Sequence, residues 1–338
     1  MKVFKIIVWS IKILITILIV NSCNLSKKTY SADKDSTLKV GVVWRADTTS
    51  STFQGVITAI KEVGAVPIVV GPVFSPNIVY DDSVIAEECV DSHGILLQKY
   101  ADMVKNDLYD NIDIKTQYLN GIDAVVFPGG EDMSPTLFSV PQQWHGIESE
   151  IYYDSTRDVS DYLLMQWCLD NDIPTLCICR GMQVLAILSG SSLIQDINMY
   201  FTQKGENYGF EHRGEDDDGR CFASHDVIIT DSSSLLFDIV KQNHIFNTPS
   251  WHHQAVETVD TNCLKVTAVT RTCNTNIIEA IERIDKTFFI GVQYHPEIAV
   301  KKHLERANDA DKFMSYDEGI AYFKALVKIA KEKNQYKK

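Results

Sequence analysis

Residues able to do chemistry concentrate in three short runs. The first is PTLCICRGMQVLAILSG, Pro174 to Gly190, where an apolar run gives way to helical spacing. Cysteine is readily buried as a small hydrophobe, so Cys168, among the apolar residues of a helical stretch, and Cys177, within the strand, read as core. Cys179 stands instead where strand ends and helix begins, followed by Arg180 and Gly181. A residue at that turn projects over the carboxyl edge of an α/β sheet, where such folds bind ligands. The helix N-terminus there favours thiolate over thiol and leaves its first N–H groups free to donate. Gly181 removes a side chain where helix and strand meet. The pattern is a nucleophile elbow with sulfur in place of the usual serine oxygen.

A nucleophile needs a base, and the base needs an orienter. The second run, FFIGVQYHPE, supplies both: His295 follows directly on a strand, and Glu297 is two residues on. The third run, FPGGED, ends another strand in Gly129 and Gly130, where no side chain blocks the backbone N–H groups. With the N–H of Arg180 they could form an oxyanion hole, whose donors are worth a few kcal/mol each in the transition state.

The elements that must position these runs are legible from periodicity. Leu38–Trp44 has strand length, Phe53, Val56, Ile57, Ile60 and Val63 recur at helical spacing before Gly64, and AVPIVVG is a second buried strand. Strand, helix, strand in about thirty residues is a βαβ unit, hence a parallel sheet. A strand over Ile122–Phe127, a helix over Thr156–Asn171 with Ser155 as N-cap, a strand over Pro174–Ile178 and a helix over Gly181–Leu188 follow. From Ala223 onward HDVIIT, LKVTAVT, NIIEAIE and TFFIGVQYH suggest antiparallel strands at one side of the sheet, and an amphipathic helix closes the chain. Residues 72–117 are irregular, with a helix near Ile95–Leu108, and read as a lid or rim over a pocket or as a surface insertion. The expected architecture is an α/β three-layer sandwich of flavodoxin-like type, with a mainly parallel central sheet and extra antiparallel strands, in one domain over residues 38–334.

The 338 residues are 45% hydrophobic, enough for one large core, and the net charge of −13 argues against nucleic acid as a partner. Lys2 and Lys5 precede an apolar stretch, Ile6 to Val20, too short and interrupted for a membrane span but suited to a secretory signal. It ends in VNSC, which resembles a bacterial lipoprotein processing site with Cys23 as the lipidated residue. Residues 1–22 are then the signal and 23–37 a polar tether, and the mature charge falls to −16 because three lysines leave with the signal. Lipid would hold the protein on a membrane surface in the bacterial envelope. Of eight cysteines, seven remain beside Cys23, an odd number that implies a free thiol. Cys177 and Cys179, two apart on a strand, point the same way and are poorly placed for a disulfide. No CxxC or zinc-type spacing occurs, and His225, His252, His253 and His295 fit no metal spacing, so no metal is expected.

CICRGMQ, FPGGEDMSP, HHQAV and GVQYHPE, in this order, resemble the class I glutamine amidotransferase-like superfamily, and within it the peptidase C26 group, which includes γ-glutamyl-γ-aminobutyrate hydrolases. The likeness runs from about Leu38 to Glu297. It implies Cys179 as nucleophile, His295 as base, Glu297 as orienter, and Gly129–Gly130 as the oxyanion turn. Gln183 matches a position that helps hold the glutamyl part of a substrate, and SWHHQAV a segment beside the site, so that His253 or His252 would line the pocket. RDVSD, Arg157 to Asp161, matches a run that usually ends in Glu, and Cys177 stands where the group usually has Gly. The implied activity is cofactor-free hydrolysis of a small γ-glutamyl amide through a thioester. The alternatives are a peptidase acting on cell-wall γ-glutamyl peptides, a non-catalytic envelope ligand-binding protein, and a glutaminase or amidotransferase subunit. Whether the chain forms a homodimer is left open.

Overall fold

The computed structural model describes residues 37–107, 109, 111–216 and 219–336. The expected signal, Cys23 and nearly all of the tether lie outside the described residues. Five short strands carry the frame: β1 (Lys39–Val43), β2 (Val66–Val70), β3 (Ala124–Phe127), β4 (Thr175–Ile178) and, far along the chain, Phe289–Val292. They lie parallel in the order β2, β1, β3, β4 and then Phe289–Val292. This is the flavodoxin-like order. The segments AVVF, TLCI and FIGV are buried at every position, as strands covered by helices on both faces must be.

One face is covered by α1 (Ser51–Glu62), which buries Phe53, Val56 and Ile60. The other is covered by α3 (Ser155–Asp170) and α4 (Arg180–Leu188), with Leu163, Leu164, Met182 and Leu185 in its core, and α2 (Gln98–Asp107) packs against Pro135–Leu137. Beyond α4 come β5 (Ser192–Ile194), β6 (Ala223–Ile229), β7 (His244–Ser250), β8 (Ala255–Thr258), β9 (Leu264–Thr272), β10 (Thr275–Arg283) and β11, the Phe289–Val292 strand. Then α5 (Pro296–Leu304) and α6 (Tyr316–Tyr336) return to the α1 face, where α6 buries Ile320, Phe323 and Leu326. Strands β10, β9, β6 and β7 extend the sheet antiparallel, and β8 pairs with β10 and β5. The expected three layers, parallel centre and antiparallel extension are all present, and the described residues from Thr37 onward form one compact unit.

Several expectations change. TFFIGVQYH is not antiparallel throughout: β11 runs parallel to β4 and antiparallel to β10, so it is the seam between the two halves of the sheet. Direction is set by the crossover that leads into a strand and leaves no local mark in an apolar run. The N-cap of α3 is Asp154, whose carboxylate accepts from Arg157 N, while Ser155 lies in the first turn. Residues 72–117 do not rim the cavity described below. They back the 134–160 region, with Val73 N donating to Ser160 Oγ, Ile85 N to Thr156 Oγ1 and Leu96 N to Ser134 Oγ.

Register brings the strand ends level. Phe127 pairs with Cys177 and Val292 with Ile178, so the residues after β3, β4 and β11 leave the sheet along one edge.

Candidate active site

Cys179 occupies that edge with φ 52° and ψ −107°, a conformation open to a non-glycine residue only under constraint from its surroundings. The constraints are visible. Cys179 N donates to Val292 O at 2.7 Å, which ties the turn to β11. A Cβ at Gly181 would stand 2.4 Å from Phe127 O, so only glycine lets α4 start this close to β3. The reversed φ also sends the two cysteines to opposite sides. Cys177 packs in the core under α3 and α4, while Cys179 joins the cluster of the other face. The expectation that they point the same way fails because Cys179 has already left the strand. Cys177 is fully buried, which pushes its thiol well above the usual range, so the residue that replaces the group's glycine is accommodated as core.

His295 is the residue before α5, and its N–H donates to Pro249 O at 2.8 Å. Its Nδ1 meets Glu297 Oε1 at 2.7 Å, and Phe222 stands edge-on to the ring with centroids 5.3 Å apart. Burial disfavours the imidazolium, but Glu297 and then Cys179 outweigh it and hold the ring up at about 10. The other ring nitrogen, Nε2, is buried. Glu297 is itself walled in by α1, since a Cβ at Gly55 would lie 2.9 Å from its Cγ. A Cβ at Gly129 would lie 2.8 Å from His295 Cε1 and 3.3 Å from Cys179 Cβ. Thiol and imidazole therefore face each other across the bare backbone of Gly129.

Gly130 has φ +151°, and a Cβ there would fall 2.0 Å from Arg157 Nη1. Arg157 reaches both carbonyls of this turn, Pro128 O at 2.9 Å and Gly129 O at 3.2 Å, and its charge partners are Glu131 and Asp161. With its carbonyls held on the arginine side, the turn presents its amide edge toward the cavity. Arg45 also binds Glu131, at 3.0 Å. Burial alone would raise the Glu131 carboxyl, but Arg157 and Arg45 hold it down at about 2. Arg180 points its side chain away from the cavity, to Asp158 at 2.7 Å and to Asp161, so only its backbone is available to a ligand. Arg45, Glu131, Arg157, Asp161, Arg180 and Asp158 make a buried network of three positive and three negative groups beneath the site.

One cavity collects Cys179, His295, Gly130, Gln183, His252 and His253. Gln183 is buried and turned partly inward, to Gln254 O and Gln293 Oε1 at 3.4 and 3.3 Å. His253 lies between Asp132, at 2.9 Å, and Asp196, at 3.2 Å. Burial works against its charge, but the two carboxylates prevail and raise it to about 9. The sequence did not single out Arg45, Asp132, Glu150, Tyr152 or Arg213, which also line the cavity, while Trp251 belongs to the SWHHQAV segment expected beside it. Arg45 carried a signal, since it follows directly on a parallel strand as His295 does. The bidentate pair of Arg213 with Glu150, both bonds 3.0 Å, joins distant segments and had none.

A family model for peptidase C26 matches residues 107–297. The protein NtpR of Enterococcus hirae is 30% identical over 197 residues, covering 58% of this chain and 74% of that protein. Gamma-glutamyl-gamma-aminobutyrate hydrolase PuuD of Escherichia coli strain K12 is 28% identical over 185 residues, 54% of this chain and 66% of its own length. Among solved structures, a glutamine amidotransferase from Thermotoga maritima aligns over 87% of this chain and 97% of its own, with 14% identity and a TM-score of 0.45.

Proposed function

The chain belongs to the peptidase C26 family of glutamine amidotransferase-like hydrolases, and from that membership we propose that it cleaves the γ-amide bond of small γ-glutamyl compounds. The observation that carries the reading is the meeting of Cys179 and His295 over Gly129, with Glu297 fixing the far nitrogen of the ring.

In this mechanism the Cys179 sulfur attacks the γ-carbonyl carbon, and the oxygen gains charge opposite the backbone N–H groups of Gly130 and Arg180. Glu297 accepts from Nδ1–H, so the proton available for transfer sits on Nε2. His295 gives that proton to the leaving nitrogen as the C–N bond breaks, which leaves a glutamyl thioester on Cys179. Water then loses a proton to His295 and attacks the thioester. The C–S bond breaks, glutamate leaves, and the sulfur and imidazolium return to their starting state. Asp132, Glu150, Arg45 and Arg213 give the cavity lining both signs of charge, which suits the α-ammonium and α-carboxylate of a glutamyl head.

A panel of γ-glutamyl anilide, amides and dipeptides tests this without added acceptor or nucleotide. Glutamate and free amine should appear in equal amounts. Binding without amine release would make the protein a binder, and release only with an ammonia acceptor would make it part of an amidotransferase.

The pH dependence follows from the ring. The folded value of His295, about 10, lies above the unperturbed value of about 6.5. Its stabilising contribution is therefore fully present below about pH 6.5 and is lost as pH rises through about 10. Glu297→Gln keeps the side-chain shape but removes the carboxylate. The alkaline limb of kcat/KM should move down by about one pH unit or more, with little change in KM. An unmoved limb would assign it to another group.

We also propose that Cys23 carries lipid after cleavage of residues 1–22, which would place the hydrolase on the bacterial envelope. The wild type should fractionate with membranes and begin at a modified Cys23 by mass spectrometry. Cys23→Ala should be released or keep residues 1–22. A wild-type chain that is neither cleaved nor modified would overturn the assignment.

A further inference from the structure

Behind the cavity wall made by His252, four buried side chains from separate segments converge. They are His212, from the loop before β6, His225 of β6, His252, between β7 and β8, and Glu279 of β10. One ligand-capable atom from each lies within 4.8 Å of all the others. Glu279 Oε1 stands 3.1 Å from His212 Nδ1, 3.7 Å from His225 Nε2 and 3.8 Å from His252 Nε2. All four atoms, and the second carboxylate oxygen, are buried without a hydrogen-bond partner among the described residues. Buried polar groups are seldom left this way, and five at one point call for a shared partner.

The outer nitrogens show which partner fits. His252 Nδ1 lies 2.7 Å from Gln254 O, which can only accept, so the proton is on Nδ1 and a lone pair on Nε2 faces inward. His225 Nδ1 lies 3.1 Å from Thr270 Oγ1 and 3.5 Å from Thr248 Oγ1. Both hydroxyls already donate to backbone carbonyls at 2.8 Å, to Asp226 O and His225 O, so they accept from Nδ1 and His225 Nε2 also faces inward as a lone pair. The remaining histidine is held on its outer side by Thr272 Oγ1, 2.7 Å from His212 Nε2. Imidazoles fixed by an outer oxygen so that the inner nitrogen is free are the arrangement metal sites use. The inward-facing atoms offer lone pairs and a carboxylate and bring no Lys or Arg to balance it.

We propose that His212, His225, His252 and Glu279 bind one divalent transition-metal ion, zinc by preference, as a closed structural site. Three imidazoles and one carboxylate, in a three-dimensional rather than planar array, match tetrahedral zinc, whose bonds of about 2.0–2.2 Å set neighbouring donors about 3.3 Å apart. The His212–Glu279 distance is already of that order, and the others close by small side-chain rotations. Calcium and magnesium would want more oxygens. All four protein donors point inward and leave no position aimed at the cavity, so the ion takes no part in the reaction. Its effect is mechanical. It ties the loop that carries Arg213 to the sheet and holds the Trp251–Gln254 segment, and both form the cavity wall.

The test uses the full chain without a histidine tag, beside Cys179→Ala, so that metal on the thiol is not mistaken for this site. Elemental analysis should find about one zinc per chain in both. His252→Ala and Glu279→Gln should retain less than about a tenth of that. Removing the metal with a chelator should lower Tm, and added zinc should restore it. Cobalt(II) added to the stripped wild type should give the intense visible bands of a tetrahedral site, a readout that does not depend on any variant folding. Wild-type protein that carries no zinc, takes none up and gives no tetrahedral cobalt spectrum would overturn the proposal. None of these readouts measures amine release, so the site and the hydrolase reading stand or fall separately.

Discussion

Replacing Cys179 with alanine should lower kcat on a γ-glutamyl substrate by about 10³- to 10⁵-fold while the protein stays folded. The loss is large because, in this mechanism, the thiol sulfur is the atom that bonds to the carbonyl carbon. Oxyanion donors and binding would remain, so KM should change little. Stability should not suffer, because the native residue is held at φ 52°, and Cys179→Gly should be more stable than Cys179→Ala by about 1 kcal/mol as that strain relaxes. Cys177→Ser is the control. It puts a hydroxyl among Phe127, Met182 and Leu185 and should cost stability while leaving kcat within a few fold. Equal losses from both cysteines, read from steady-state kinetics and thermal melts, would mean that the nucleophile is misassigned.

Arg157 carries the second large effect, although it touches no reacting atom. It holds Pro128 O, Gly129 O and Glu131 at once and sits within reach of Asp161. Lysine brings a single ammonium and cannot span two successive carbonyls and a carboxylate. Arg157→Lys should lower kcat by about 10²-fold with a smaller change in KM, the signature of a misplaced oxyanion donor. Arg157→Leu should destabilise the fold by about 3–5 kcal/mol, because it strands Glu131 and Asp161 without that cation. A kcat near the wild-type value in Arg157→Lys would show that the turn holds its shape without the guanidinium.

The parts of this site that could be read in the sequence are those whose cause is local. A strand that runs into Cys179, Arg180 and Gly181 declares its own turn, and HPE places His295 and Glu297 two residues apart on the rim of another strand. That the central strands run parallel followed from βαβ spacing. What stayed hidden depends on partners far along the chain. Nothing near Arg157 says that it will reach back to Pro128, and nothing near His212 points to Glu279. Of the two readings of residues 72–117, a rim or a surface insertion, the rim fails for the same reason. Loop-like composition marks an excursion but does not say which way it folds, and here it folds behind α3. Apolar runs such as β11 carry no mark of direction, which is why the seam of the sheet was misread.

The six buried charges under the elbow balance one another, so changing any one of them leaves an opposite charge stranded in the interior. A change at one member of such a set therefore calls for a compensating change at another. Glu150, Tyr152, Arg213 and Trp251 line the cavity above it, where Arg213 and Glu150 balance each other and Tyr152 reaches the set through one hydrogen bond to Glu131. Lineages descended from this chain can therefore try new leaving groups by altering the rim alone, while bond breaking itself stays frozen.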